Sequence, residues 1–225
     1  MARTPDSVGD KPDLYADNIL YLDKLVGKLV AELESLKLRD KTLIVFTGDN
    51  GCVGQQTVNG RPIDGKKGAL KEGGSRVPLI VNWPGTTPAG KLSKDLVDFS
   101  DFFPTFAELA KADLPPGVTL DGHSFAPQLL GQPGQPRGWV YVQLHANRYV
   151  RDAHWKLTRA GEFFDMKEAP WREIPVPSDT PDAGAKAARA RLKTALDGLL
   201  AQDTGQVATT ARDTTPNKHF RAIMA

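Results

Sequence analysis

The sequence predicts an α/β fold, with part of a central mixed sheet flanked by helices and followed by a small antiparallel sheet that carries a helix. Apolar residues Tyr15, Ile19, Leu22, Val26, Leu29, Val30, Leu33 and Leu36 recur at steps of three and four, which sets them on one helical face. Directly after them, Thr42-Leu43-Ile44-Val45-Phe46-Thr47 is a short β-branched and aromatic run, the pattern of a strand buried on both faces of a parallel sheet. A helix feeding such a strand is the α/β signature. Beyond Gly138 the texture changes to short strand-like runs separated by turns, which predicts the antiparallel sheet.

Taken in order, Asp13 is the expected N-cap of a helix over 15–38. The strand over 42–47 stops at Gly48-Asp49-Asn50-Gly51, so Asp49 and Asn50 should project from its carboxyl end, where open α/β sheets gather their ligands. A long polar connection, Cys52 to Gly74, precedes a second apolar run, Pro78 to Trp83, closed by Pro84-Gly85. Connections of that length between core strands are usually functional. Ser100 to Lys111 reads as a helix capped by Ser100, with Pro104 in its first turn and Phe103, Phe106, Leu109 and Ala110 on the apolar face. A helical turn is expected at Ser124 to Leu130. After the Gly/Pro-rich residues 131–138 come strands at Trp139 to Leu144, Tyr149 to Arg151, Trp155 to Arg159 and Phe163 to Met166. A helix over 185–202 should turn Leu192, Leu196, Leu199 and Leu200 inward, and the polar residues from Asp203 onward have little to bury. The division expected is 1–131, 132–203 and a tail over 204–225.

Composition narrows the partners. With 29 Lys+Arg against 27 Asp+Glu in 225 residues, the charge gives no general reason to invoke nucleic acid or an anionic membrane surface. No apolar run approaches the ~18 residues of a membrane span, and the opening residues lack the apolar stretch of a secretory signal. The single cysteine, Cys52, cannot form an internal disulfide, and no zinc-ligand spacing is present.

Chemistry concentrates in two places. Asp49 and Asn50 offer a carboxylate and an amide oxygen side by side, as hard cations such as Ca²⁺ and Mg²⁺ require, although Asp-Asn-Gly is also a common turn. Lys66 and Lys67, followed by Gly68, are ammonium groups able to hold an oxyanion, or simply solvated surface. The run from Gly60 to Lys67 nearly spells a P-loop. It fails because Lys67 occupies the position of the metal-binding hydroxyl and no strand immediately precedes Gly60.

Thr47-Gly48-Asp49-Asn50-Gly51, then Gly65-Lys66-Lys67-Gly68, Glu72-Gly73-Gly74-Ser75-Arg76-Val77-Pro78 and Trp83-Pro84-Gly85 together resemble the type I sulfatases (arylsulfatases) of the alkaline phosphatase superfamily. Asp101-Phe102-Phe103-Pro104-Thr105, Asp121-Gly122-His123-Ser124-Phe125, Trp155-Lys156-Leu157 and Phe164-Asp165-Met166 agree. The resemblance implies a sulfuric ester hydrolase with an alkaline-phosphatase-like fold, acting on a sulfate-ester small molecule or glycan. It assigns Asp49 and Asn50 to a divalent cation, usually Ca²⁺, alongside an Asp-Asp pair from an early strand, and Lys67 to the sulfate. It also makes Lys66 a bystander and Glu72 and Arg76 structural.

The resemblance further implies a formylglycine nucleophile made within Cys/Ser-x-Pro-x-Arg, and no such motif occurs in these residues. The early Asp-Asp pair and a family histidine are missing as well, so the chain is expected to be the C-terminal portion of a sulfatase with little activity alone. Relatives are often exported. His123, His145, His154 and His219 are replacement acid–base candidates, each with a structural reading as well. The rival functions are a phosphodiesterase or phosphonate hydrolase of the same superfamily and a non-catalytic remnant.

Overall fold

The computed structural model describes residues 3–8 and 13–202. The expected tail, with His219, lies outside them.

Helix α1 spans Leu14–Ser35, and the Asp13 carboxylate caps it by accepting from the amides of Tyr15 and Ala16. It ends a turn earlier than the periodicity suggests because Lys37 takes a left-handed φ of 57° and turns the chain. The apolar stripe is present, yet α1 buries none of its residues, and Leu29 is 54% exposed. Thr4 and Ser7 hydroxyls dock the preceding segment onto Asp17, whose carboxyl is held below its usual range mainly by the Ser7 bond.

Strand β1, Ile44–Thr47, is half-buried throughout, and its partner is antiparallel. The parallel, doubly covered setting expected for 42–47 is therefore corrected. A parallel partner needs a crossover over the sheet face. Here the connection stays at the carboxyl end of β1 and forms a small hairpin, β2 (Thr57–Val58) with β3 (Arg61–Pro62), then the short helix α2, Glu72–Ser75. The chain re-enters at the end where it left, so β4, Leu79–Asn82, runs back with Leu79 opposite Thr47 and Asn82 opposite Ile44. The hairpin turns on Asn59 and Gly60, both with positive φ, the Asn-Gly pattern of a two-residue turn. That signal was legible in the sequence.

Helix α3, Phe102–Ala110, follows a 3₁₀ turn over Phe99–Asp101. The cap is Asp98, with Asp101 completing a reciprocal capping box, and not Ser100. A carboxylate at each end of the box satisfies the free amides, while the Ser100 hydroxyl donates to Asp98 at 2.7 Å. Pro104 and Thr105 are the buried residues of α3, whereas Phe103 and Phe106 stay exposed. The motif over 121–125 now has a physical account. A Cβ at Gly122 would lie 1.9 Å from the Ser100 carbonyl. The His123 amide donates to Asp101 at 2.7 Å, and the Phe125 amide to the Thr105 hydroxyl at 3.0 Å. Helix α4, Ala126–Leu129, follows.

The C-terminal sheet has five antiparallel strands in sequential order: β5 (Val140–Leu144), β6 (Asn147–Arg151), β7 (Trp155–Thr158), β8 (Phe163–Asp165) and β9 (Ile174–Pro175). Strand β9 had no readable pattern because it is two residues long. Helix α5, Ala183–Gln202, packs Ala185, Ala188, Leu192 and Leu196 against Val150, Leu157 and Phe163, and Leu199 and Leu200 pack at the margin of this core.

Candidate functional site

The site is built where the carboxyl end of β1 meets the long connection. Asp49 is exposed and Asn50 half-buried. The Asn50 amide nitrogen donates to Asp49 Oδ1 at 2.9 Å, which sets the two side chains next to each other. Both present hard oxygens. They fit Ca²⁺ or Mg²⁺ as a share of its ligands only, since Ca²⁺ takes ~6 to 8 oxygens. Among the described residues no group of three or more His, Cys, Asp or Glu side chains could hold a metal ion.

Three backbone segments stack directly behind this turn, and glycine is required at each contact. The Gly51 amide donates to the Gly74 carbonyl at 3.0 Å, and a Cβ at Gly51 would fall 1.7 Å from the Gly73 carbonyl oxygen. The Gly73 amide in turn donates to Asp64 at 2.7 Å, and a Cβ there would lie 2.4 Å from Gly65 O. Side chains at these places would pry the strand end away from α2.

Lys67 occupies a tight turn. The Ala69 amide donates to the Lys66 carbonyl at 2.9 Å, and Gly68 between them has a φ of 84°, as the third residue of a type II turn requires. This puts Lys67 at the corner, with both Lys66 and Lys67 exposed. The Lys67 amide donates to the Cys52 carbonyl at 2.7 Å, which pins the turn to the residue following Gly51. Asp49, Asn50 and Lys67 are thus carried by two segments held together by their own backbones.

The described histidines are used locally. His123 borders an open cavity of about 640 Å³ with Ser124 and Gln135. His145 sits in the β5–β6 turn with a φ of 54°, and the His154 amide donates to Asp152 at 2.8 Å.

Other residues support the connection from outside. Glu72, 3% exposed, accepts from Arg151 at 2.5 Å and from Arg76 at 3.3 Å. The Ser75 and Tyr149 hydroxyls are 2.6 Å apart. Arg61 lies over the Trp171 ring at 4.3 Å, and Asp64 pairs with Lys71 at 2.9 Å. The pairing of Glu72 agrees with its structural reading, but its partner Arg151 was not legible. A charged residue alternating with apolar ones in a strand was the available signal.

A sulfatase family model matches residues 3–112, the segment from before α1 through α3 that includes Asp49, Asn50 and Lys67. Residues 3–112 are a sulfatase-family segment. The chain is 29% identical to human arylsulfatase D over 161 residues, covering 68% of this chain and 27% of that protein. It is 38% identical to human arylsulfatase A over 126 residues, covering 55% of this chain and 24% of that protein. A solved structure in complex with its substrate D-glucosamine-2-N,6-O-disulfate is 25% identical, with a TM-score of 0.67, covering 87% of this chain and 41% of that one. The chain spans about a quarter of the length of these curated relatives. Its fold is the alkaline-phosphatase-like α/β fold of those sulfatases, and no described helix is long and apolar enough to cross a membrane.

Proposed function

We propose that these residues form part of the active site of a sulfuric ester hydrolase, in which Asp49 and Asn50 supply half of the ligands to a divalent cation and Lys67 holds the sulfate. The observation that carries this reading is the 2.7 Å bond from the Lys67 amide to the Cys52 carbonyl, which fastens the lysine turn to the strand end bearing the oxygen ligands. Cleaving a sulfate ester spreads negative charge over the sulfuryl oxygens and the leaving oxygen, and an ammonium fixed nearby stabilises that charge. A bound Ca²⁺ or Mg²⁺ would supply Lewis-acid stabilisation of the same charge. Asp49 and Asn50 are the residues that would hold it.

The substrate class is a sulfate-ester small molecule or glycan, a reading supported by the disulfated glucosamine bound to the similar structure. Because no Cys/Ser-x-Pro-x-Arg motif occurs in the 225 residues, the chain by itself is expected to hydrolyse sulfate esters slowly or not at all. A fast, metal-dependent hydrolysis of a chromogenic aryl sulfate by this chain alone would overturn that expectation.

The assignment is tested by titration calorimetry with CaCl₂ and, separately, with inorganic sulfate. Calcium binding is expected in roughly the 10⁻⁴–10⁻³ M range or weaker, and Asp49→Ala should abolish it. Lys67→Ala should weaken sulfate binding and leave calcium binding intact. Wild-type affinities in both variants would remove the assignment.

A further inference from the structure

Strands β6 and β7 present two different faces. Val150 and Leu157 are partners across the ladder and belong to the core against α5. Tyr149, Arg151 and Lys156 alternate to the other face, where each reaches the connection that carries Lys67. The contact of Lys156 is the most committed. Its ammonium, 2% exposed, donates to the Leu70 carbonyl at 2.6 Å and to both carboxylate oxygens of Glu173 at 2.8 Å. It also lies 4.3 Å from the centre of the Tyr149 ring. The three acceptors occupy all the protons an ammonium has.

A buried ion pair is a weak way to add stability, because apolar residues of the same volume often do as well. What the ammonium adds is direction. A donor fixed by Glu173 selects one backbone carbonyl, and Leu70 stands between the Lys67 turn and Glu72, which the same sheet holds through Arg151. The Asp64 amide donates to the Pro170 carbonyl at 2.9 Å and fastens the other side of the turn.

We infer that Lys156 is a positioning residue for Lys67: the C-terminal sheet, through the Lys156–Glu173 pair, locks the connection at Leu70 and so sets the affinity of the Lys67 turn for a sulfuryl group. This rests on the reading of Lys67 as the group that holds the sulfate. Lys156 and Glu173 are buried, with side chains 2% and 4% exposed, and act on the exposed Lys67 turn only through Leu70.

The test is amide hydrogen exchange together with inorganic sulfate titration on the whole chain as wild type, Lys156→Met, Glu173→Gln and Lys67→Ala. In Lys156→Met the amides of Lys67 and Ala69 should exchange about tenfold faster or more, while those of β6, β7 and α5 keep their protection. Sulfate binding should weaken by about tenfold. Glu173→Gln, which keeps shape and one acceptor, should show the same pattern to a smaller degree and serves if Lys156→Met does not fold. Uniform acceleration through β6, β7 and α5 would make the pair merely structural and overturn the inference. So would unchanged sulfate binding in both variants when Lys67→Ala weakens it. If Lys67→Ala leaves sulfate binding unchanged, the sulfate reading fails, and the exchange pattern alone decides whether Lys156 orders the turn.

Discussion

The amide of Lys67 donates to the carbonyl of Cys52 at 2.7 Å, which closes the long connection at its root. Fourteen residues of loop and hairpin, 53–66, leave and return at one point beside Asp49 and Asn50. The position of the lysine is therefore set by backbone packing, and the first two expected outcomes follow from that.

Gly51→Ala should destabilise the chain by roughly 1–3 kcal/mol, because the new Cβ would fall 1.7 Å from the Gly73 carbonyl oxygen. On the proposed assignment of Asp49 and Asn50 to a cation, calcium binding should fall with it, since their turn has to move. Gly54→Ala is the control, its Cβ coming no closer than 3.8 Å to the Gln56 side chain. Urea unfolding of the two variants should separate them. Equal stability would mean the strand end can relax without cost.

Glu72→Gln should cost about 3–5 kcal/mol. It leaves Arg151, whose side chain is 12% exposed, facing a neutral group where a carboxylate stood 2.5 Å away. Arg76→Ala should cost no more than about 1 kcal/mol, because its side chain is 61% exposed and water screens the pair. A double-mutant cycle with Arg151→Met checks the origin, since Glu72→Gln should cost less once Arg151 is gone.

Burial raises the Tyr149 hydroxyl to about 12, with the Ser75 hydrogen bond opposing the shift and the charge of Glu72 adding to it. Its value in an unfolded chain is near 10.0. Below that pH the phenol is protonated in both states and its contribution to stability is complete. As pH rises from about 10 toward about 12, the unfolded chain releases the proton and the folded chain keeps it, so stability falls, by on the order of 2 kcal/mol in total. Tyr149→Phe should remove that part of the slope. It should also be less stable by about 1 kcal/mol at neutral pH, having lost the Ser75 contact. Denaturant unfolding across the alkaline range reads both, and an unchanged slope would contradict the prediction.

Asp101→Asn should cost about 3 kcal/mol or more. Asp101 is 1% exposed, and one of its oxygens accepts from the His123 amide and from Arg137 Nε and Nη2 at 2.7, 3.1 and 2.8 Å. The other accepts from the Asp98 amide at 2.7 Å. An amide nitrogen placed on either side would face a donor. Thermal unfolding measures the loss, and a wild-type midpoint would show that Asp101 is not the hub this geometry makes it.

Much of the fold was legible where the signal is local. The stripe of α1 and its Asp13 cap, the short strand-like runs of β5 to β8 between turns and the leucines of α5 are written in local sequence, which depends only on neighbouring residues. The boundaries that slipped had non-local or unusual causes. Lys37 ends α1 in a left-handed conformation that no glycine announces. Asp98 displaces Ser100 as cap because Asp101, committed to Arg137 and His123, also accepts the Asp98 amide.

By itself the sequence determined the longer helices and strands, the family resemblance and the candidacy of Asp49, Asn50 and Lys67, since side-chain identity and spacing carry those directly. Tertiary structure alone decided that β4 runs antiparallel to β1, because orientation depends on which end the connection returns to. It also decided that the glycines serve backbone contacts at Gly73 and Gly65, and that Lys156 and Arg151 reach across to Leu70 and Glu72. Those pairs are some eighty residues apart in the chain. A donor and an acceptor that far apart carry no local pattern, and only the packed sheet brings them together.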